Sequence, residues 1–223
     1  TKKAVVLFSG GLDSTTALCW ALDRGYACEA VSFDYGQRHN RETFSARRIA
    51  RFLGVKLYEI RLAFPWLGVS SIIDKKKRLP DRRLSKIGAG GIPSTYVPGR
   101  NLVFASIGVS LADAAGAEAV VLGPNFIDHS GYPDCRPQFY RALEKAVAAG
   151  TRRGALGKKI ELLTPLIRLS KKEIIKLALK LKAPLKYTWS CYAGGSRPCG
   201  ACDSCKLRAK GFTDAGMKDP APQ

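Results

Sequence analysis

A chain of 223 residues, 46% of them apolar, has room for one ordinary domain with a well-buried core, which excludes a disordered chain and a pair of large domains. Its 37 Lys+Arg against 18 Asp+Glu leave a net charge of +19, so polyanions and phosphate-bearing ligands are the partners that charge favours. The seven cysteines are odd in number and include C-x-x-C spacings, which does not fit a secreted disulfide framework and points to a reducing compartment with thiolates kept for metal.

The apolar pattern predicts alternating strands and helices. Residues 4–8 are a short apolar run ending in a Gly pair, the mark of a buried parallel strand. Residues 14–22 have helical spacing, with Leu18 and Leu22 on one face. Residues 28–33 form a second strand, residues 40–53 a basic amphipathic helix stopped by Gly54, and residues 55–60 a third strand. Asn101 is a good N-cap for a helix to residue 115. Residues 119–123 form a fourth strand, Pro137 opens a helix to residue 149, and residues 160–163 form a fifth strand. Ser170-Lys171-Lys172-Glu173 reads as a capping box for a helix to residue 181. Such alternation implies a Rossmann-like α/β fold, a parallel sheet with helices on both faces. Two stretches break the rhythm. Residues 64–99, rich in Gly, Pro and Lys/Arg, read as a lid, a binding insertion or a disordered loop. The Cys- and Gly-dense residues 189–211 are expected to fold around something other than a core. The apolar N-terminal run is too short for a signal core, and nothing approaches the roughly 20 apolar residues of a membrane helix. A soluble, cytoplasmic protein with no membrane partner is expected.

Phe8-Ser9-Gly10-Gly11-Leu12-Asp13-Ser14 lies between the first strand and first helix, where open α/β sheets bind anions. It is neither G-x-x-x-x-G-K-[ST] nor G-x-G-x-x-G. It resembles the PP-loop, S-G-G-x-D-S, of the ATP pyrophosphatase superfamily. The resemblance implies enzymes that cleave ATP between the α and β phosphates, adenylylate a substrate oxygen and hold the departing pyrophosphate on the loop.

Cys191-(x7)-Cys199-x2-Cys202-x2-Cys205 brings four thiols within a short segment. Four thiolates suit tetrahedral Zn²⁺ in a closed, structural site. An iron–sulfur cluster is the competing reading, but the C-x3-C-P continuation is missing after Cys205. Cys19 and Cys28 fall in elements and read as core.

Four further segments narrow the PP-loop reading. They are Asp34-Tyr35-Gly36-Gln37-Arg38-His39, Tyr96-Val97-Pro98-Gly99-Arg100-Asn101, Ser130-Gly131-Tyr132-Pro133-Asp134-Cys135-Arg136-Pro137, and Cys199-Gly200-Ala201-Cys202-Asp203-Ser204-Cys205-Lys206-Leu207-Arg208. In this order they resemble the 7-cyano-7-deazaguanine synthase (QueC) family, over residues 5–212. The resemblance implies an ATP-dependent carbon–nitrogen ligase of queuosine precursor biosynthesis. Such enzymes adenylylate the carboxylate of 7-carboxy-7-deazaguanine, form an amide with ammonia, then activate and dehydrate the amide to a nitrile. It also implies ATP, Mg²⁺ and Zn²⁺ as cofactors, a homodimer, and no requirement for nucleic acid. Residues 1–186 would be the PP-loop domain, with the 64–99 insertion, and residues 187–223 the zinc-binding segment.

Residue roles carry over by position. Phe8, Ser9, Gly10, Gly11, Leu12, Asp13, Ser14, Thr15, Thr16, Ala17 and Leu18 would form the nucleotide loop and helix start. Asp34 and Tyr35 would lie at the adenine or ribose rim. Asp13 would orient the loop or hold Mg²⁺, or else simply cap the helix. Arg38, Arg100, Asn101, Tyr132 and Asp134 are the candidate substrate contacts, Asn101 having a plain N-cap as its other reading. Arg100 suits a carboxylate or phosphate in bidentate fashion, Asp134 suits the N1–H and 2-amino edge of a guanine-like ring, and Arg136 suits charge developing on phosphate. Asp13, Ser14, Arg100, Asp134 and Arg136 form the candidate catalytic set, and Cys191, Cys199, Cys202 and Cys205 the metal set. Cys135 reads as a structural thiol rather than a nucleophile. His129 stands where the family often has Tyr. Two other readings are a PP-loop enzyme that adenylylates a base in tRNA, which the charge favours, and a zinc-ribbon nucleic-acid-binding protein. For most of the basic runs, including Lys75-Lys76-Lys77-Arg78, a solvated cationic surface is the expected role.

Overall fold

A computed structural model describes residues 1–64, 70–87 and 91–221, with the side chains of residues 128–130 left out. Five parallel strands, β1 (Lys3–Leu7), β2 (Ala27–Asp34), β3 (Lys56–Arg61), β4 (Ala119–Val121) and β5 (Glu161–Leu163), stand in the order β3-β2-β1-β4-β5. Among the described residues, eight α-helices connect or flank them: α1 (Leu12–Asp23), α2 (Arg41–Leu53), α3 (Arg100–Ala115), α4 (Phe126–Gly131), α5 (Pro137–Gly150), α6 (Arg152–Ala155), α7 (Lys171–Lys180) and α8 (Asp203–Asp214). The expected Rossmann-like architecture is present.

Side chains of successive strand residues point to opposite faces. In β1 and the residue after it, Ala4, Val6 and Phe8 enter one core with Leu18, Ile49, Ile174, Ile175 and Phe212. Val5 enters the other with Val31, Val120, Val109 and Ile160. Both faces are therefore covered, which is why β1 reads as an unbroken apolar run. α2 ends at Gly54 in the left-handed conformation, as the sequence predicts. The Ser170 capping box also forms. Glu173 N–H donates to the Ser170 hydroxyl at 3.4 Å, and Ser170 N–H donates to Glu173 Oε2 at 2.8 Å.

Two expectations need correction. Asn101 is not the N-cap of α3: the helix starts at Arg100 after Gly99, whose φ of +64° turns the chain into it. Asp134 supplies the cap from a distance, its Oδ2 accepting from Asn101 N–H at 3.0 Å. Nor does the whole cysteine-rich tail stand apart from the core. α8 packs on α7, Phe212 is buried in the first core, and a Cβ on Gly211 would lie 2.5 Å from Lys171 Cγ.

β1 lies between β2 and β4, and the chain winds away from it on either side. The crevice at the strands' carboxyl ends beside β1 is where such a sheet binds ligands. Among the described residues, no helix is long and apolar enough to cross a membrane.

Candidate active site

The Ser9–Ser14 loop occupies the turn from β1 into α1. Its polar groups brace one another: Ser9 N–H donates to Ser14 Oγ (3.2 Å), Gly11 N–H to Ser9 Oγ (3.2 Å), and the Ser14 hydroxyl to the Gly11 carbonyl (3.3 Å). The N-terminus of α1 adds the positive end of its dipole. Gly10, at φ +82°, lies hard against the first turns of α2. A Cβ there would sit 2.4 Å from Ala46 N and 2.6 Å from the Glu42 carbonyl oxygen. Both neighbours are backbone, so Gly10→Ala must move the helix or the loop. We expect a loss of about 3 kcal/mol and a melting temperature lower by roughly 6–12 °C, readable by calorimetry.

A cavity of about 320 Å³ opens on this loop. Of the residues singled out in the sequence, Phe8, Ser9, Gly11, Leu12, Asp13, Ser14, Tyr35, Arg100, Asn101 and Tyr132 line it. Thr15, Thr16, Ala17 and Leu18 are buried in α1 behind the loop. Asp34 faces Arg61 (3.6 Å) at the sheet edge. Arg38 anchors the insertion instead: its Nε donates to Ser71 O at 2.7 Å, and its guanidinium also reaches the Asp74 (2.8 Å) and Lys77 carbonyls. Asp134 is buried, with Oδ1 lacking a hydrogen-bond partner. Arg136 is the residue before α5. The side chain of His129 lies outside the described residues.

Three charged or amide lining residues among those the sequence did not mark bear on the chemistry. Lys171, the first residue of α7, reaches across to Asp13 with Nζ 2.7 and 2.6 Å from its two carboxylate oxygens. Asn125 Nδ2 donates to Asp13 Oδ2 at 2.9 Å. Glu42, in the first turn of α2, is the third. The signals were faint. Lys171 follows a capping serine after the last strand, and Glu42 is the one acid in a helix of arginines.

Arg100 NH1 donates to the Tyr35 hydroxyl at 3.2 Å. Burial pushes the Tyr35 hydroxyl above its ordinary range, with Arg100 opposing. Burial also pushes the Glu42 carboxyl up to about 7, again against Arg100. Phe33 and Phe104 stack at 3.9 Å between ring centres, and Tyr35 meets Phe104 edge-on at 5.3 Å, giving the cavity an aromatic wall.

The four cysteines predicted as ligands converge, their sulfurs all within 4.8 Å of one another. A tetrahedral ion with bonds of about 2.3 Å needs sulfurs about 3.8 Å apart, and Cys199 and Cys205 stand at 4.0 Å. Ala193 and Cys199 N–H groups approach Cys191 Sγ at 3.4 and 3.3 Å, and Cys202 N–H approaches Cys199 Sγ at 3.4 Å. Such donors offset thiolate charge, so the donor set fits a metal ion.

This cluster is tied to the cavity. Trp189 N–H donates to the Gly10 carbonyl at 3.1 Å. Arg41 N–H donates to His39 Nδ1 (3.2 Å), so Nε2 carries the ring proton and donates to the Cys191 carbonyl (2.9 Å). Burial holds His39 below the ordinary imidazole range. Gly194, at φ +74°, leaves room for that ring: a Cβ would lie 2.2 Å from His39 Cβ. Asp203 accepts from Arg82 Nε (2.7 Å) and Arg82 N–H (2.8 Å), and Lys206 pairs with Asp81, which docks the described part of the insertion on α8.

The sequence matches the family model described as "Queuosine biosynthesis protein QueC" over residues 3–216. The chain belongs to the QueC family. The 7-cyano-7-deazaguanine synthase of Acetivibrio thermocellus is 48% identical over 218 residues, 98% of this chain and 96% of that one. Those of Thermoplasma acidophilum (48%, covering 98% and 91%) and Trichodesmium erythraeum (47%, covering 98% and 99%) are similarly near. Among solved structures, a predicted subunit of tRNA methyltransferase from Methanocaldococcus jannaschii aligns with a TM-score of 0.51 at 20% identity, over 80% of this chain and 75% of that one. That likeness concerns the fold alone. In this QueC chain the phosphate loop, the Arg100 turn and the cysteine segment, far apart in sequence, meet at one cavity.

Proposed function

We propose that this chain is a 7-cyano-7-deazaguanine synthase, converting 7-carboxy-7-deazaguanine, ammonia and ATP to the nitrile. The observation that carries the proposal is the cavity that joins the braced phosphate loop to Arg100 and the aromatic wall, in a chain aligned end to end with relatives of that name. Neither hydroxide from a carboxylate nor oxide from an amide leaves unaided. Each oxygen must first become a phosphate ester. In both steps the substrate oxygen attacks the α phosphorus of ATP, and pyrophosphate leaves onto the loop and the α1 N-terminus.

Asp13 has both oxygens engaged by Lys171 and one also by Asn125, which supports its orienting role over direct metal binding. Magnesium would then come with the nucleotide phosphates. Arg100, which lines the cavity, would meet a carboxylate or phosphate. The unpartnered Oδ1 of Asp134 supports a contact with the guanine-like edge, beside Asn101 and Tyr132. Arg38, Arg136 and Asp34 would act at the rim rather than within the cavity. We take the Cys191, Cys199, Cys202 and Cys205 site to hold zinc, which would fix the tail that closes the cavity. The homodimeric, cytoplasmic state implied by the family is part of the same reading.

The direct test is incubation with 7-carboxy-7-deazaguanine, ammonium and Mg-ATP, followed by mass spectrometry. The amide and then the nitrile are expected. Absence of both from folded, metal-loaded protein, or salt-sensitive conversion of a tRNA base in their place, would overturn the assignment.

Cys135 borders the cavity and is buried, and its sulfur accepts from Asn101 Nδ2 at 3.0 Å. Adenylylation needs no thioester, so Cys135→Ala should keep the turnover rate within about threefold, at a stability cost of about 1 kcal/mol. A steady-state assay beside thermal melting checks both.

A further inference from the structure

Amide formation and nitrile formation both release protons from nitrogen, and some group must take them. When ammonia adds to the acyl adenylate, the new C–N bond leaves a positively charged nitrogen. One proton must depart as the C–O bond to AMP breaks and AMP leaves with the electron pair. After the amide oxygen is adenylylated, both remaining N–H protons must leave as the second C–O bond breaks and the C≡N bond forms. A base facing the cavity is required, because ammonium itself carries its proton at neutral pH.

Among the described residues, two carboxylates line the cavity. Asp13 is committed to Lys171 and Asn125. Among the described residues, none makes a hydrogen bond or ion pair with the Glu42 side chain, which lines the cavity. Glu42 belongs to the turn of α2 whose backbone lies against Gly10 of the phosphate loop, and it lines the same cavity as that loop. The charged and titratable groups that share this space are Tyr35 from the loop after β2, Arg100 from α3, the Asp13–Lys171 pair from α1 and α7, Tyr132 and Cys135 from the segment before α5, Tyr140 from α5, Tyr192 from the cysteine segment and Arg208 from α8.

We propose that Glu42 is the catalytic base that removes the nitrogen-borne protons in both the amidation and the dehydration, passing each to solvent. This rests on the synthase reading above. Burial supports the role by raising the Glu42 carboxyl to about 7, Arg100 notwithstanding. A base tuned there is half deprotonated at neutral pH and still basic enough to accept a proton, whereas an ordinary exposed carboxylate is a weaker base. The pair of tasks also explains why a single site can carry both steps: one oxygen-activating loop faces one proton acceptor.

The test uses Glu42→Gln and Glu42→Asp in the full, metal-loaded chain. Adenylylation of the carboxylate removes no proton from nitrogen, so exchange of labelled pyrophosphate into ATP, driven by 7-carboxy-7-deazaguanine, should stay within about threefold of wild type in Glu42→Gln. Formation of amide from acid, and of nitrile from supplied amide, should each fall by about 10²-fold or more. In wild type, kcat/KM for ammonium should rise with pH through an acid limb near the Glu42 value; Glu42→Gln should lose that limb, and Glu42→Asp should keep it at an intermediate rate. Amide formation by Glu42→Gln within threefold of wild type would overturn the proposal. So would parallel loss of exchange and product in both variants, which would make Glu42 a structural or nucleotide-positioning residue. Wild-type protein giving neither exchange nor product would instead reject the synthase reading itself, so the two failures are separable.

Discussion

Lys171→Met is expected to lower kcat/KM by about 10²–10³-fold, with pyrophosphate exchange falling in step. The pair it breaks is partly sheltered: side-chain exposure is 15% for Lys171 and 23% for Asp13, and Nζ meets both carboxylate oxygens. Removing one partner of a sheltered pair leaves the other charge uncompensated. Here that charge would be a carboxylate inside the loop that must accept a triphosphate. Repulsion would push the nucleotide away, and the positive charge that balances the departing pyrophosphate would be gone. Glu42→Gln should differ: Lys171→Met should stop the reaction before the adenylate, Glu42→Gln after it. Adding Asp13→Asn to Lys171→Met removes the stranded charge, so the double variant should regain thermal stability. It should not regain activity, since neither the cation nor the loop's anchor returns. Activity restored to within threefold would mean that Lys171 only neutralises Asp13. Initial rates across an ATP series, with melting curves for the three variants, decide between these outcomes.

The distance in sequence between these partners also shows what was legible. Strands declared themselves because burial on both faces demands unbroken apolar runs, as in β1 and β4. Local stop and start signals worked at Gly54 and Ser170 because their partners lie within four residues. The cap of α3 failed for the opposite reason: its acceptor is Asp134, 33 positions on, and Gly99 alone turns the chain. Asp13 and Lys171 are 158 positions apart. No local spacing encodes that contact; it follows from sheet order, which brings the ends of β1 and β5 to the same rim. α8 was hidden by composition. Its cysteine and glycine mask Phe212, the residue that carries it into the core. The cysteine spacing itself was fully legible, since ligands in turns of two residues are local by construction.

Replacing Cys202 with Ser should remove the metal and cost more activity than a remote structural site would. Cys202 is buried and precedes α8 directly. A serine there is a poor ligand for zinc, and the three remaining thiolates would repel without a cation. Structural zinc binds small peptides with about 10–16 kcal/mol, but this chain has its own core, so only part of that energy should appear in unfolding. A loss of about 3–5 kcal/mol corresponds to a melting temperature lower by roughly 6–20 °C. The effect on activity should exceed this, because the segment forms part of the cavity wall. Ser190, Tyr192, Ser204 and Arg208 line the cavity, Trp189 holds the Gly10 carbonyl, and His39 holds the Cys191 carbonyl. Arg208 further binds Asp219 through two nitrogens at 2.6 and 2.9 Å, and Thr188 at 2.9 Å, so α8 and the chain around it brace the same wall. With the metal gone, the wall and the phosphate loop should loosen together. Elemental analysis should find about one zinc per wild-type chain and far less in Cys202→Ser. Iron and sulfide in place of zinc, with visible absorbance, would assign a cluster instead. Activity unchanged in a metal-free variant would show that the cavity wall stands without its ion.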